Sequence, residues 1–277
     1  MGSDMDSDEA IVIRCVDFSE TSRILTLFTK KSGKIEALAK GGRRLKGPFD
    51  NALDLLARIS VTFLQKKGDV LDLLTESKLN KRFKVKQNNQ AGLYAGYYAA
   101  ELVNLLTERN DSSPEIYNLL AETLDAAETA AELMKTLLHF EERLLKYTGH
   151  KPSLRFCTEC NTDCWNENKT AGEEIDTEKN KTKKYRIAFG LWGGGVLCRR
   201  CEAELKQTGG QHFTSVSLEA LKQFERLTAE QDDWKQNNLD RDIQNELRGL
   251  MNQYICGLTG KRPRLFDWFP FIVKNSL

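Results

Sequence analysis

The chain has 277 residues, of which 40% are hydrophobic and 29% charged, which suits about two compact domains and excludes a disordered or fibrous polypeptide. No apolar run approaches the roughly 18 residues of a membrane span, and the acidic start MGSDMDSDEA is unlike a signal peptide, so the expectation is a cytoplasmic protein without a membrane partner. The net charge of +1 conceals an imbalance: the first 90 residues carry 17 Lys+Arg against 12 Asp+Glu, the other 187 carry 24 against 28. A polyanion is therefore expected as a partner of the first part only.

Residues 1 to 9 read as a disordered tail. Five short segments follow that read as strands: AIVIRCVDF, RILTLFTK, KIEALAKG, ARISVTFLQ and VLDLLTES. Ile59, Val61 and Phe63 alternate with polar neighbours, as one buried sheet face requires, and turn signals such as Lys31-Ser32-Gly33 separate the segments. Strands without long intervening helices predict a small barrel over residues 10–86, of OB or SH3-like type, with a β-sandwich fragment as the competitor. From about residue 88 the period becomes helical. GLYAGYYAAELVNLL is one helix; Ser113-Pro114 starts a second, PEIYNLLAETLDAAE; a third, AELMKTLLHFEERLLKY, stops at Gly149. Residues 161–184 are polar and read as a mobile loop, and SLEALKQFERLTAE and DRDIQNELRGLMNQYICGL are again helical. The expected organisation is α+β and multidomain, with a helical bundle domain over 87–154 and 212–277 and a cysteine module over 155–211.

Seven cysteines are present, and four form two C-x-x-C pairs, Cys157 with Cys160 and Cys198 with Cys201, 37 residues apart. Two such knuckles converge four sulfurs into a tetrahedron, so the spacing predicts one structural Zn2+ per chain in a zinc-ribbon-like module with four cysteine ligands. Four thiolates leave no coordination position for water, which makes a catalytic role for this metal unexpected. Cys164 is a less well spaced substitute, and Cys15 and Cys256 read as core thiols.

The stretch KGGRRLKGPF contains four cations and no acid, and Lys30 to Lys46 contains seven cations and one acid. Glycines let a backbone approach phosphate closely, and arginines offer forked donors to its oxygens. A second cluster, Lys78, Lys81, Arg82, Lys84 and Lys86, follows the last strand. A solubilising turn would carry similar charge, but two clusters on one β domain favour nucleic acid. Phe28, Phe49, Phe63 and Phe83 are the candidate stacking aromatics, although a small barrel usually keeps such rings in its core. Catalytic signals are thin. Gly42 to Gly47 outlines a phosphate loop, but Pro48 and Phe49 replace its Lys and Ser/Thr, and three histidines form no motif. The expectation is a protein that is not an enzyme.

In SETSRILTLFTKKSGKIEALAKGGRR, AGYYAAELVNLL, FEERLLKYTGHKPSLRFCTEC, the GGGVLCRRC knuckle and the ending GLTGKRPR, the chain resembles the bacterial recombination mediators of the RecO family. The resemblance implies an N-terminal OB-fold β-barrel, a helical domain and a zinc module. It further implies DNA repair by binding ssDNA and dsDNA, annealing of complementary strands, and work with RecR and single-stranded-DNA-binding protein to load RecA recombinase. On the matching turn it places DNA contact at Lys40, Arg43, Arg44 and Lys46. The alternative is a zinc-ribbon, OB-fold protein that binds RNA or ribosomes; a nuclease would need a carboxylate cluster that is not evident.

Overall fold

The structure is a computed structural model that describes residues 5–44, 48–49, 52–68, 70–87, 89–129, 132–167, 185–209, 213–228 and 239–268. It forms two compact units, Met1–Phe140 with Pro263–Leu277, and Glu141–Arg262. This division differs from the three-part expectation: two of the expected helices belong with the barrel, and two with the cysteine module.

In the first unit, β1 (Met5–Asp17), β2 (Arg23–Thr29), β3 (Gly33–Ala39), β4 (Arg58–Leu64) and β5 (Asp72–Lys81) close into a barrel in the order β1-β2-β3-β5-β4. β3 and β5 pair in parallel, and β4 returns to β1 from Met5↔Leu64 to Ile11↔Arg58, the closed order of an OB fold rather than a sandwich fragment. Alternation sets the core. Ile35, Ala37 and Ala39 of β3, and Ile59, Val61 and Phe63 of β4, are buried with Val12, Leu25, Leu27 and Leu74, while the intervening residues face outward.

The expected tail is corrected from Met5 onward, because Met5 to Glu9 lie in β1 and pair with β4. Asp8, counted among the tail acids, is 7% exposed, and its carboxylate accepts the backbone N–H groups of Lys31 and Ser32 at 2.8 and 3.1 Å. It thereby ties the β2–β3 turn to β1. Gly33 completes that turn at φ +70°, where an added Cβ would lie 2.0 Å from the Asp111 carbonyl oxygen, so only glycine fits.

Helix α1 (Gln90–Leu106) is capped by Asn89, whose Oδ1 accepts the Gly92 N–H at 2.8 Å. Helix α2 (Pro114–Thr129) starts as its sequence predicts, with Ser113 Oγ accepting the Ile116 N–H at 3.3 Å. The two pack together, α1 against β1 and α2 against β2. A 3-10 turn, Arg264–Trp268, lies along α1, with the Trp268 ring stacked on Tyr94 at 4.5 Å. Helix α3 (Leu133–Tyr147) stops before Gly149, as predicted.

In the second unit, β6 (Arg186–Gly190), β7 (Gly195–Leu197) and β8 (Phe213–Ser217) form a sheet in the order β7-β6-β8, with α4 (Arg199–Gln207) following β7. Helices α5 (Leu218–Leu227) and α6 (Arg241–Thr259) pack on β8 and on each other. Ser217 ends β8 and caps α5, its Oγ accepting the Ala220 N–H at 3.2 Å. β8 and α4 have no counterpart in the sequence reading: FTSVS is only five residues long, and RRCEAELKQ buries a single residue, Cys201.

Candidate functional site

The four cysteines of the two pairs converge. Their Sγ atoms lie within 4.8 Å of one another, with Cys160 and Cys198 at 3.6 Å. A tetrahedron of sulfurs about 2.3 Å from a zinc ion has edges of about 3.8 Å, so the donor set and its spacing fit such an ion. Local backbone produces this convergence. In the first knuckle the Cys157 N–H donates to Thr162 O at 2.8 Å, and the Asn161 N–H folds back to Cys157 O at 2.9 Å. In the second, Cys198 is the N-cap of α4, and its sulfur accepts the Cys201 N–H at 3.4 Å. A helix N-terminus favours the thiolate form. The knuckles are joined directly, because the Thr158 N–H donates to Val196 O at 3.1 Å. Gly195 permits that approach: a Cβ there would lie 2.7 Å from Ser153 O and 2.8 Å from Thr158 Cγ2.

The sulfurs are electrostatically unequal. Hydrogen bonds from the Thr162 hydroxyl and N–H draw the Cys160 thiol down to about 6, whereas burial pushes Cys198 and Cys201 up. Hydrogen bonds to the Cys201 and Cys160 sulfurs raise the pKa of the Arg200 guanidinium. Cys164 is outside the cluster, with its sulfur 3.6 Å from Thr162 O and its thiol pushed up to about 12 by burial. The segment expected to be mobile begins in order: Trp165 donates Nε1–H to Leu154 O at 2.9 Å, and Asp163 accepts Arg155 at 2.8 Å. Residues 168–184 of that loop lie outside the described residues. Cys15 and Cys256 are half-buried rather than fully enclosed.

The basic turn follows β3. Lys40, Arg43 and Arg44 are exposed, and Lys46 lies outside the described residues. Two tight turns shape it, with Gly42 N–H donating to Ala39 O at 3.2 Å and Arg44 N–H to Gly41 O at 2.9 Å. Arg43 is fastened to the β1–β2 loop: its N–H donates to Thr21 O at 3.0 Å, its guanidinium to Ser19 O at 3.1 Å, and Asp17 lies 3.6 Å away. Lys40 and Arg44 make no ion pair among the described residues.

The remaining cations are not gathered with this turn. Lys30 and Lys31 sit at the opposite end of β2 and β3, strands of seven residues that span roughly 20 Å. There they line a groove of about 820 Å³ with Lys78, Asp8, Glu9 and Glu76, a mixed-charge surface rather than a basic one. Lys34 turns to α1, its Nζ donating to the carbonyls of Asn104 (2.8 Å) and Thr107, and desolvation lowers its pKa. In the second cluster Lys81 pairs with Asp125 and Glu128, and Arg82 with Asp54 at 3.2 Å. Two acids from α2, together with Asp54, thus absorb charge that the sequence presents as a groove extension.

The stacking candidates are corrected as well. Phe28, Phe49 and Phe63 are 0–5% exposed, their rings packed inside, and Phe83 is half-buried. The exposed aromatic beside the turn is Phe18, 62% exposed in the β1–β2 loop. Sequence reasoning missed it because it ends a strand-like segment. Among the described residues, the four cysteines are the group of His, Cys, Asp or Glu side chains close enough to share a metal ion, and no helix is long and apolar enough to cross a membrane.

Residues 5–83 match the family model "Recombination protein O N terminal", and residues 88–265 match "Recombination protein O C terminal". The "DNA repair protein RecO" of Rhodopirellula baltica is 36% identical over 94% of this chain and 97% of its own length. Proteins of the same name from Caldicellulosiruptor saccharolyticus and Myxococcus xanthus are 27% and 26% identical, covering 95% and 94% of this chain and 97% and 95% of theirs. A barrel matched from its first described strand, a helical and cysteine-bearing remainder matched nearly to its last described turn, and a 36% identical relative together show that the chain belongs to the recombination protein O (RecO) family.

Proposed function

We propose that this protein acts in DNA repair and recombination as a non-catalytic DNA-binding protein that binds ssDNA and dsDNA and anneals complementary strands without ATP. Its cytoplasmic work would be to help load RecA onto DNA covered by single-stranded-DNA-binding protein, together with RecR. The observation that carries the DNA reading is the exposed trio Lys40, Arg43 and Arg44 on one end of a closed five-stranded barrel, in a chain of this family. We place Lys46 with them on sequence grounds. Annealing needs relief of repulsion between two polyanions, which lysine and arginine provide by displacing condensed counterions. It needs no covalent chemistry.

The metal proposed for Cys157, Cys160, Cys198 and Cys201 is zinc, one per chain. It would supply folding energy to the second unit, with all four positions taken by sulfur. The deciding experiment is annealing of two complementary oligonucleotides with and without ATP across a salt series. ATP-independent acceleration that fades steeply with salt is the expected result. A requirement for ATP, or acceleration that persists in molar salt, would overturn the reading.

A further inference from the structure

We propose that Phe18 is a base-stacking platform for unpaired nucleotides, continued along the barrel wall by Val16, Ile24 and Leu38. The inference rests on the DNA-binding reading and adds which chemical form of DNA this surface selects. A phosphate-binding turn alone cannot tell a single strand from a duplex, because both present phosphates. Base faces are different: they are available only when unpaired, and aromatic and apolar side chains recognise them.

Four observations converge on this surface. The Phe18 ring is 62% exposed and Val16 42% exposed, two residues apart where β1 gives way to the β1–β2 loop. The loop that presents the ring is fixed by its own hydrogen bonds, Phe18 N–H to Ser22 O at 3.0 Å and Ser22 N–H to Ser19 Oγ at 3.2 Å. Arg43 joins this loop to the cationic turn through Ser19 and Thr21, which brings its guanidinium to the loop that carries the ring. Its nearest acid, Asp17, is paired with Arg23 at 3.1 Å as well as with Arg43, which leaves exposed Glu20 as the loop's other carboxylate.

The fourth observation is the register. Val16 pairs with Ile24, and Ile24 with Leu38, in one row across three strands. Their chain neighbours Leu25, Ala37 and Ala39 point into the core, so Ile24 and Leu38 face outward and are half-exposed. An aliphatic row on the outer wall, ending near an exposed aromatic, with Lys40 just past β3 and Arg43 at the aromatic's loop, matches a strand whose bases lie on the wall while its phosphates meet the cations. Charge on that border argues against an apolar protein partner.

The test uses the full chain and three probes: a thymidine homopolymer, an abasic strand of equal length, and a duplex. Phe18→Ala should weaken binding to the thymidine strand about tenfold, as loss of one stacked base implies. Affinity for the abasic strand and the duplex should be unchanged, as should the salt slope, since no charge is removed. Phe18→Trp should restore the thymidine affinity, and the exposed ring makes an unchanged melting temperature the expected control. Equal loss on all three probes, or no loss on the thymidine strand, overturns the proposal; the latter would make the ring a protein contact. If the unaltered protein binds none of the probes, the DNA reading itself fails and takes this inference with it.

Discussion

Lys34 Nζ donates to the Asn104 carbonyl oxygen at 2.8 Å, so a lysine from the most basic stretch of the sequence closes the last turn of α1 instead of facing solvent. A cation at a helix C-terminus satisfies carbonyls that have no partner within the helix and complements its dipole. Lys34→Met should therefore lower the stability of the full chain by about 1–2 kcal/mol in urea denaturation. The salt dependence of its DNA binding should stay as in the unaltered protein; a shallower slope would make Lys34 a phosphate contact.

Arg43 and Arg44 should behave in the opposite way. Replacing both by Ala should weaken binding to every DNA sequence alike and reduce the salt slope by about one unit for each phosphate that is no longer neutralised. The Arg43 guanidinium also holds Ser19 O, while its backbone N–H to Thr21 O survives the substitution, so only a small loss of order in the β1–β2 loop is expected beside it. A folded double variant with an unchanged slope would return the turn to a merely solvated surface.

Metal analysis should find one zinc per chain in protein purified without chelator. Cys157→Ser combined with Cys198→Ser should release it and destabilise the second unit, because binding energy here is folding energy. The barrel shares no sulfur with the cluster, so DNA binding by the variant should persist at low temperature. Cys164→Ser should leave zinc content unchanged, since that sulfur lies outside the tetrahedral set.

Glu246 gives the second unit a pH dependence. Burial pushes its carboxyl up, but the Ser217 hydroxyl at 2.6 Å, the Ser217 N–H at 2.9 Å and the Arg186 guanidinium outweigh this and hold it below the ordinary range. A depressed carboxylate adds stability that is present above its unfolded pKa and is lost as pH falls through the folded one. Glu246→Gln should cost about 2 kcal/mol at neutral pH. The gap from the unaltered protein should close as pH falls below the ordinary glutamate value of 4.5. A gap that is constant with pH would assign the effect to packing.

Much of this architecture is legible in the residues, and the exceptions share a cause. Ile59, Val61 and Phe63 announce an inward strand face, and Ser113-Pro114 announces a helix start, because both signals are local. The cysteine pairs are legible because thiolate geometry constrains spacing. What fails is anything decided by a distant partner. Lys34, Lys81 and Arg82 look like free cations until α1, α2 and Asp54 are placed beside them. Asp8 and its neighbours look like a tail until β4 arrives to pair with them. Phe49 lies next to the cationic turn in sequence but points into the core, and Phe18, 25 residues before Arg43, sits in the loop which that arginine holds.

The double pairing of β1 has a consequence for how the protein is made. Its second half pairs with β2, the next strand to be synthesised, but its first half waits for β4, with Met5 opposite Leu64. β3 in turn needs β5, which ends at Lys81, before the cylinder can shut. A nascent chain therefore holds an open sheet with two raw edges, three strands and then four once β4 has emerged, until β5 has left the ribosome. Such edges invite pairing with other chains. Closure through contacts so far apart in sequence is intrinsically slow, so the barrel is the part most dependent on protection during synthesis.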